Sequence, residues 1–165
     1  MSGHGHKGIV VIEHLDVSAE QFFSAVARSV AYAAHSAGIP ATSSDVRTGF
    51  SYQTSLRDKL GHDQRTSVEV TRFEPPAAYA ARIVSGQGTN TVAYEVTPAD
   101  GGGIEVAYEE GFVGSTTCND LNYKLVGLAW RHSAKKRMRR VLHGIEACAG
   151  EVASHGMDAL AAAED

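Results

Sequence analysis

The chain has 165 residues, 43% of them hydrophobic and 21% charged, which predicts one globular domain and excludes a disordered chain. Its net charge of −4 conceals six cations and no acid between Arg131 and Arg140, so the other residues carry −10. A weakly acidic molecule with one basic band is a poor general nucleic-acid binder, and no nucleic-acid partner is expected.

Ile9 to Leu15, β-branched and short, reads as a first strand. Ser18 and Gln21 then form an S-x-x-Q capping box, with Val17 and Phe22 placed as the staple across it. Phe22, Val26, Val30, Ala33 and Ala37 follow at helical spacing, and Gly38-Ile39-Pro40 stops the helix. Val46 to Leu56 alternates as a strand, with Thr48, Phe50, Tyr52, Thr54 and Leu56 on one face. A charged turn from Arg57 to Arg65 leads to a strand over Thr66 to Phe73, which Pro75-Pro76 breaks. Tyr79 to Ser85, Thr89 to Thr97 and Ile104 to Phe112 complete the strands, separated by Gly86-Gln87-Gly88 and by Asp100 with three glycines.

A long helix closes the chain, from about Leu121 or Gly127 through Val152. Its predicted apolar stripe is Trp130, Ala134, Met138, Val141, Ile145, Cys148 and Val152. The order of strand, helix, antiparallel meander and long helix predicts an α+β architecture of about six strands with its helices on one side. Residues 8–156 form the expected domain, and 1–7 and 157–165 are expected to be flexible termini. Two cysteines, Cys118 and Cys148, are too few for a disulfide framework, and Cys148 is expected to be a buried thiol. No stretch approaches the roughly 20 apolar residues of a membrane span, and residues 1–7 lack the apolar core of a signal peptide. The expected compartment is the cytoplasm.

This order resembles the helix-grip fold of the START-like, or Bet v 1-like, superfamily (SRPBCC). The likeness rests on the strand and capped helix at the start and on the Phe73-Glu-Pro-Pro76 turn. It rests also on Thr91-Val-Ala-Tyr-Glu-Val96 and Ile104-Glu-Val-Ala-Tyr-Glu109. More closely, the chain is similar to a small bacterial branch classed as a domain of unknown function. There a glycine and an apolar pair precede a Lys/Arg-rich run, here Val126-Gly-Leu-Ala-Trp130 and Ala134-Lys-Lys-Arg-Met-Arg-Arg140. The resemblance implies a curved antiparallel sheet gripping the long C-terminal helix, with a cavity between them. Six strands, where many members have seven, imply a smaller cavity or none.

The inner face collects Phe50, Tyr52, Tyr79, Tyr94 and Tyr108, with Trp130 and Met138 on the helix opposite. These residues fit a mostly apolar pocket with phenolic hydroxyls to orient a ligand, or equally a packed core. The resemblance favours the pocket. Strand parity carries Glu110 onto the same face, where a carboxylate must be paired, ligand-bound or protonated, unless a bulge near Gly111 turns it outward. Glu13 and His14 fall near the rim.

The basic run reads as a solvated helix face balanced by the outer carboxylates Glu69, Glu95, Glu105 and Glu109, or as a docking face for an acidic partner. His4 and His6 lack a third ligand nearby, so no metal is expected. No cofactor motif is present and no catalytic residue can be assigned from spacing. The expected function is non-catalytic binding of a small apolar or lipid-like ligand. One alternative is an enzyme of the polyketide cyclase or aromatase type, using Glu110 with Tyr94 or Tyr108. The other is an interaction scaffold working through the basic helix face.

Overall fold

A computed structural model describes residues 8–57, 61–114 and 132–151. The elements are β1 (Ile9–Leu15), α1 (Ala19–Ser36), a 3-10 turn (Ser43–Asp45), β2 (Ser51–Arg57), β3 (Asp63–Glu74), β4 (Ala78–Ser85), β5 (Gly88–Pro98) and β6 (Ile104–Gly114). A final helix, α2, runs through 132–151. The strands form one antiparallel sheet in the order β1-β6-β5-β4-β3-β2, so the first two strands occupy opposite edges and α1 joins them.

Local chemistry sets the opening. In β1, Ile9, Val11 and Leu15 face the core while Val10 and Ile12 face out. The capping box forms: the Gln21 N–H donates to Ser18 Oγ at 3.1 Å, and the Ser18 N–H donates to Gln21 Oε1 at 2.8 Å. Phe22, Phe23 and Val26 are buried, and α1 lies on the inner face of the sheet.

β2 starts at Ser51, five residues later than the alternation from Val46 predicts. A turn closed by the Phe50 N–H on the Arg47 carbonyl interrupts the pattern. Gly49 lies within it at φ +88°, a conformation disfavoured for other residues. Thr48 is therefore exposed, and its hydroxyl accepts the Phe73 N–H at 2.9 Å.

In β3 the register shifts between Val70 and Arg72. This bulge sends Arg72 outward and turns Phe73 inward against Phe23 and Tyr79.

The core face of α2 is Ala134, Met138, Leu142 and Ala149, with Ile145 partly buried beside them. That corrects the predicted stripe. Val141 is 37% exposed and Cys148 is an exposed free thiol. Residues 141 and 142, like 148 and 149, are adjacent on the helix, so spacing alone favours neither. Ion pairs on the two flanks of α2, through Arg137 and Arg139, hold the roll that buries Leu142 and Ala149. Trp130, Val152 and the predicted start of this helix lie outside the described residues. No described helix is long and apolar enough to cross a membrane.

Candidate functional site

Strand register sorts the inner face into rows. The first is Phe73, Tyr79, Tyr94, Tyr108 and Val11, each paired with the next across neighbouring strands. Its tyrosines are packed: Tyr79, Tyr94 and Tyr108 are 7%, 6% and 3% exposed. Tyr79 stacks on Tyr94 at 5.6 Å, Tyr94 meets Tyr108 edge-on at 4.8 Å, and Phe22 of α1 meets Tyr94 edge-on at 5.6 Å. Such pairs each add about 0.5–1.5 kcal/mol beyond area burial. Burial holds all three phenols above their ordinary pKa, Tyr79 up to about 12. Met138 is fully buried in the same core.

The second row is Val70, Ala81, Val92, Glu110 and Ile9. The third is Tyr52, Val68, Ile83, Asn90 and Phe112. Here cover thins out. Val92 is half-buried, as are Tyr52, Val68, Ile83 and Phe112, while Phe50 packs beside Tyr52 at 6.1 Å.

Glu110 sits where packed and accessible rows meet. No bulge turns it outward: it pairs in register with Val92 and Ile9, and its side chain is 20% exposed. One carboxylate oxygen accepts the Tyr108 hydroxyl, and the other accepts Arg137 from α2. The desolvation cost of this carboxylate is thus offset by a phenol from its own strand and a guanidinium from the helix.

A second inner-face carboxylate is anchored in the same way. Glu13 of β1 accepts Arg139 Nε at 2.7 Å and lies 3.4 Å from His143 Nε2. His143 Nδ1 is 3.0 Å from Glu146, whose other oxygen accepts the Asp16 N–H at 2.7 Å. The hydrogen bond to Glu146 leads the causes that raise the His143 pKa, with Glu13 contributing further.

The basic helix is therefore balanced differently from the sequence expectation. Two of its cations reach inner carboxylates, while the outer Glu69 and Glu95 are taken by Arg82 and Arg72 of the sheet itself. Lys135, Lys136 and Arg140 remain exposed.

Of the residues picked out from sequence, the structure brings Phe50, Tyr52 and Glu110 to accessible or half-buried positions. It places Tyr79, Tyr94, Tyr108 and Met138 in packed core. Val68, Ile83, Val92 and Phe112 join the accessible set; their inward parity was legible, but nothing local signals that their rows lie beyond the packed cover.

Two polar clefts lie elsewhere. One of about 590 Å³ is lined by Ser36, Ala37, Gln53, Thr54, Ser55, Asp63 and Arg65. Another of about 390 Å³ lies at the β5–β6 turn beside His14 and Glu105. Among the described residues no group of three or more His, Cys, Asp or Glu is placed to hold a metal ion.

Comparison with known proteins gives a family and a fold. The family described as domain of unknown function (DUF3284) matches residues 10–131. No curated protein matches the sequence. Among solved structures, a protein of unknown function from Staphylococcus aureus superposes with a TM-score of 0.61 at 14% identity, over 90% of this chain and 95% of the other. Ara h 8.0201 superposes with a TM-score of 0.57 at 12% identity, over 89% and 97%. An uncharacterized protein from Rhizobium leguminosarum gives 0.52 at 18% identity, over 87% and 94%. At these identities the likeness concerns the fold alone, a Bet v 1-like arrangement of sheet and long helix.

Proposed function

We propose that this chain, which belongs to the family described as domain of unknown function DUF3284, binds a small, largely apolar ligand between its sheet and its C-terminal helix. The observation that carries this reading is the gradient of cover along one sheet face. Beyond the packed tyrosine row lies a row in which Tyr52, Val68, Ile83 and Phe112 are half-buried and Asn90 is exposed, bordered by an engaged carboxylate, Glu110. Apolar walls with a few converging polar groups are the usual make-up of a small-molecule site. Both Glu110 oxygens already accept hydrogen bonds from the protein, which suits a fixed polar border to the site better than a group that shuttles protons.

Native mass spectrometry of gently purified protein, with titration of the neutral apolar fluorophore Nile red, tests the proposal. Binding is expected in the wild type and is expected to be lost in Val68→Trp, which fills the half-buried row, with Tm held within a few degrees. Absence of both bound mass and dye binding, or dye binding that Val68→Trp leaves intact, would overturn the site.

A further inference from the structure

We infer that the polar end of the ligand is an uncharged hydrogen-bond acceptor, a ketone, ester or amide carbonyl, received by the Arg137 guanidinium. This rests on the binding site proposed above and names the class of molecule it selects.

Glu110 and Arg137 form an ion pair at the edge of the accessible row, so their charges already cancel. A ligand carboxylate would place a second anion beside Glu110, and a ligand amine would place a second cation beside Arg137. In a partly desolvated setting either juxtaposition is costly. An uncharged head avoids both.

Hydrogen-bonding capacity then gives the head its direction. A guanidinium carries five N–H donors and no acceptor. Among the described residues Arg137 donates through one terminal nitrogen, to Glu110, and its side chain is 53% exposed. Glu110, by contrast, has each oxygen engaged, one by Tyr108 and one by Arg137. The surplus at this border is of donors, and it meets an acceptor.

The neighbourhood on the strand side is apolar apart from Asn90, the exposed cross-strand partner of Phe112. Glu110 pairs with Val92, and Phe112 is the next residue of β6 on the same face. From Glu110 to Phe112 the strand advances about 7 Å, at about 3.3 Å per residue. An apolar chain or ring lying against Phe112 thus has its polar end within reach of the Arg137 guanidinium on Glu110.

The test is competition against Nile red by three molecules of equal chain length: undecan-2-one, undecanoate and undecylamine. The ketone is expected to displace the dye at about one-tenth the concentration of either charged molecule. Arg137→Met should erase that preference, read as the ratio of ketone to charged-molecule displacement of whatever Nile red the variant still binds. Glu110→Gln should reverse part of it, because an uncompensated guanidinium then favours undecanoate over the ketone. If Nile red itself fails to bind, the underlying site is wrong. If Nile red binds and the ketone shows no advantage, or Arg137→Met leaves the advantage intact, the site stands and the carbonyl class is wrong.

Discussion

Tyr79 and Tyr108 are covered by other aromatic rings and by the helices, whereas Ile83 and Phe112, four residues further along the same two strands, remain half-buried. The chemistry of the two regions is similar, aromatic and aliphatic side chains on one face of one sheet. Only the cover differs. Phe22 and Phe23 of α1 fill the space above Tyr94 and Phe73, so that end of the face is core. The other end keeps apolar surface partly accessible, and a pattern of inward residues alone does not tell stabilising rows from binding rows.

The sharpest way to break this division is to truncate one residue in each row. Tyr94→Ala removes a buried ring that touches Phe22, Tyr79 and Tyr108, and should cost about 3–5 kcal/mol. Phe112→Ala, half-buried, should cost about 1 kcal/mol while weakening Nile red binding. Urea unfolding midpoints at constant slope measure both. Equal costs would mean that the two rows are equally packed.

Alkali separates the rows by another route. Burial raises the phenols of the tyrosine row, so above about pH 10 the unfolded chain ionises while the folded one resists. Their contribution is complete below the unfolded pKa and is lost as pH rises through the folded values, about 12 for Tyr79. Midpoints at pH 8, 10 and 11 should fall in that order, and Tyr79→Phe should shallow the fall. A flat profile would contradict a dry tyrosine row.

Much of the fold was legible because its signals are local. The capping box of Ser18 and Gln21 and the short β-branched run of β1 each lie within a few residues, and both form as expected. For Glu110 the sequence left two readings open, inward by parity or outward by a bulge, and β6 runs without a bulge from Ile104. What escaped depends on distant partners. The bulge after Val70 brings Phe73 into the aromatic row only because Tyr79 and Phe23 wait there. The choice of Leu142 over Val141 follows the grip of Glu110 and Glu13 on the flanks of α2, 27 and 126 residues away from their arginines. Of the outer carboxylates expected to balance the basic run, Glu69 and Glu95 instead meet arginines of their own sheet.

That grip supports a charge comparison within α2. Arg139→Glu sets an acid against Glu13 and should cost about 1 kcal/mol, allowing for the solvent exposure of the arginine. Lys136→Glu, on the exposed face, should stay within about 0.5 kcal/mol. Equal effects on Tm would argue that the basic run is solvated throughout, with no anchoring subset.

The smallest effect belongs to His143, and its value lies in its sign. Its ring lies between Glu146 of its own helix and Glu13 of β1, with Arg139 competing for the same Glu13. Both carboxylates favour the imidazolium and raise its pKa above the ordinary 6.5. The stabilisation is therefore complete below pH 6.5 and lost as pH climbs through the raised folded value. Solvent exposure of the ring should limit it to a few tenths of a kcal/mol. The wild type should exceed His143→Gln in Tm at pH 6 and match it at pH 9. A gap that widens toward alkaline pH would mean that the ring stabilises the helix in its neutral form, through packing on α2, with no charge bridge between helix and strand.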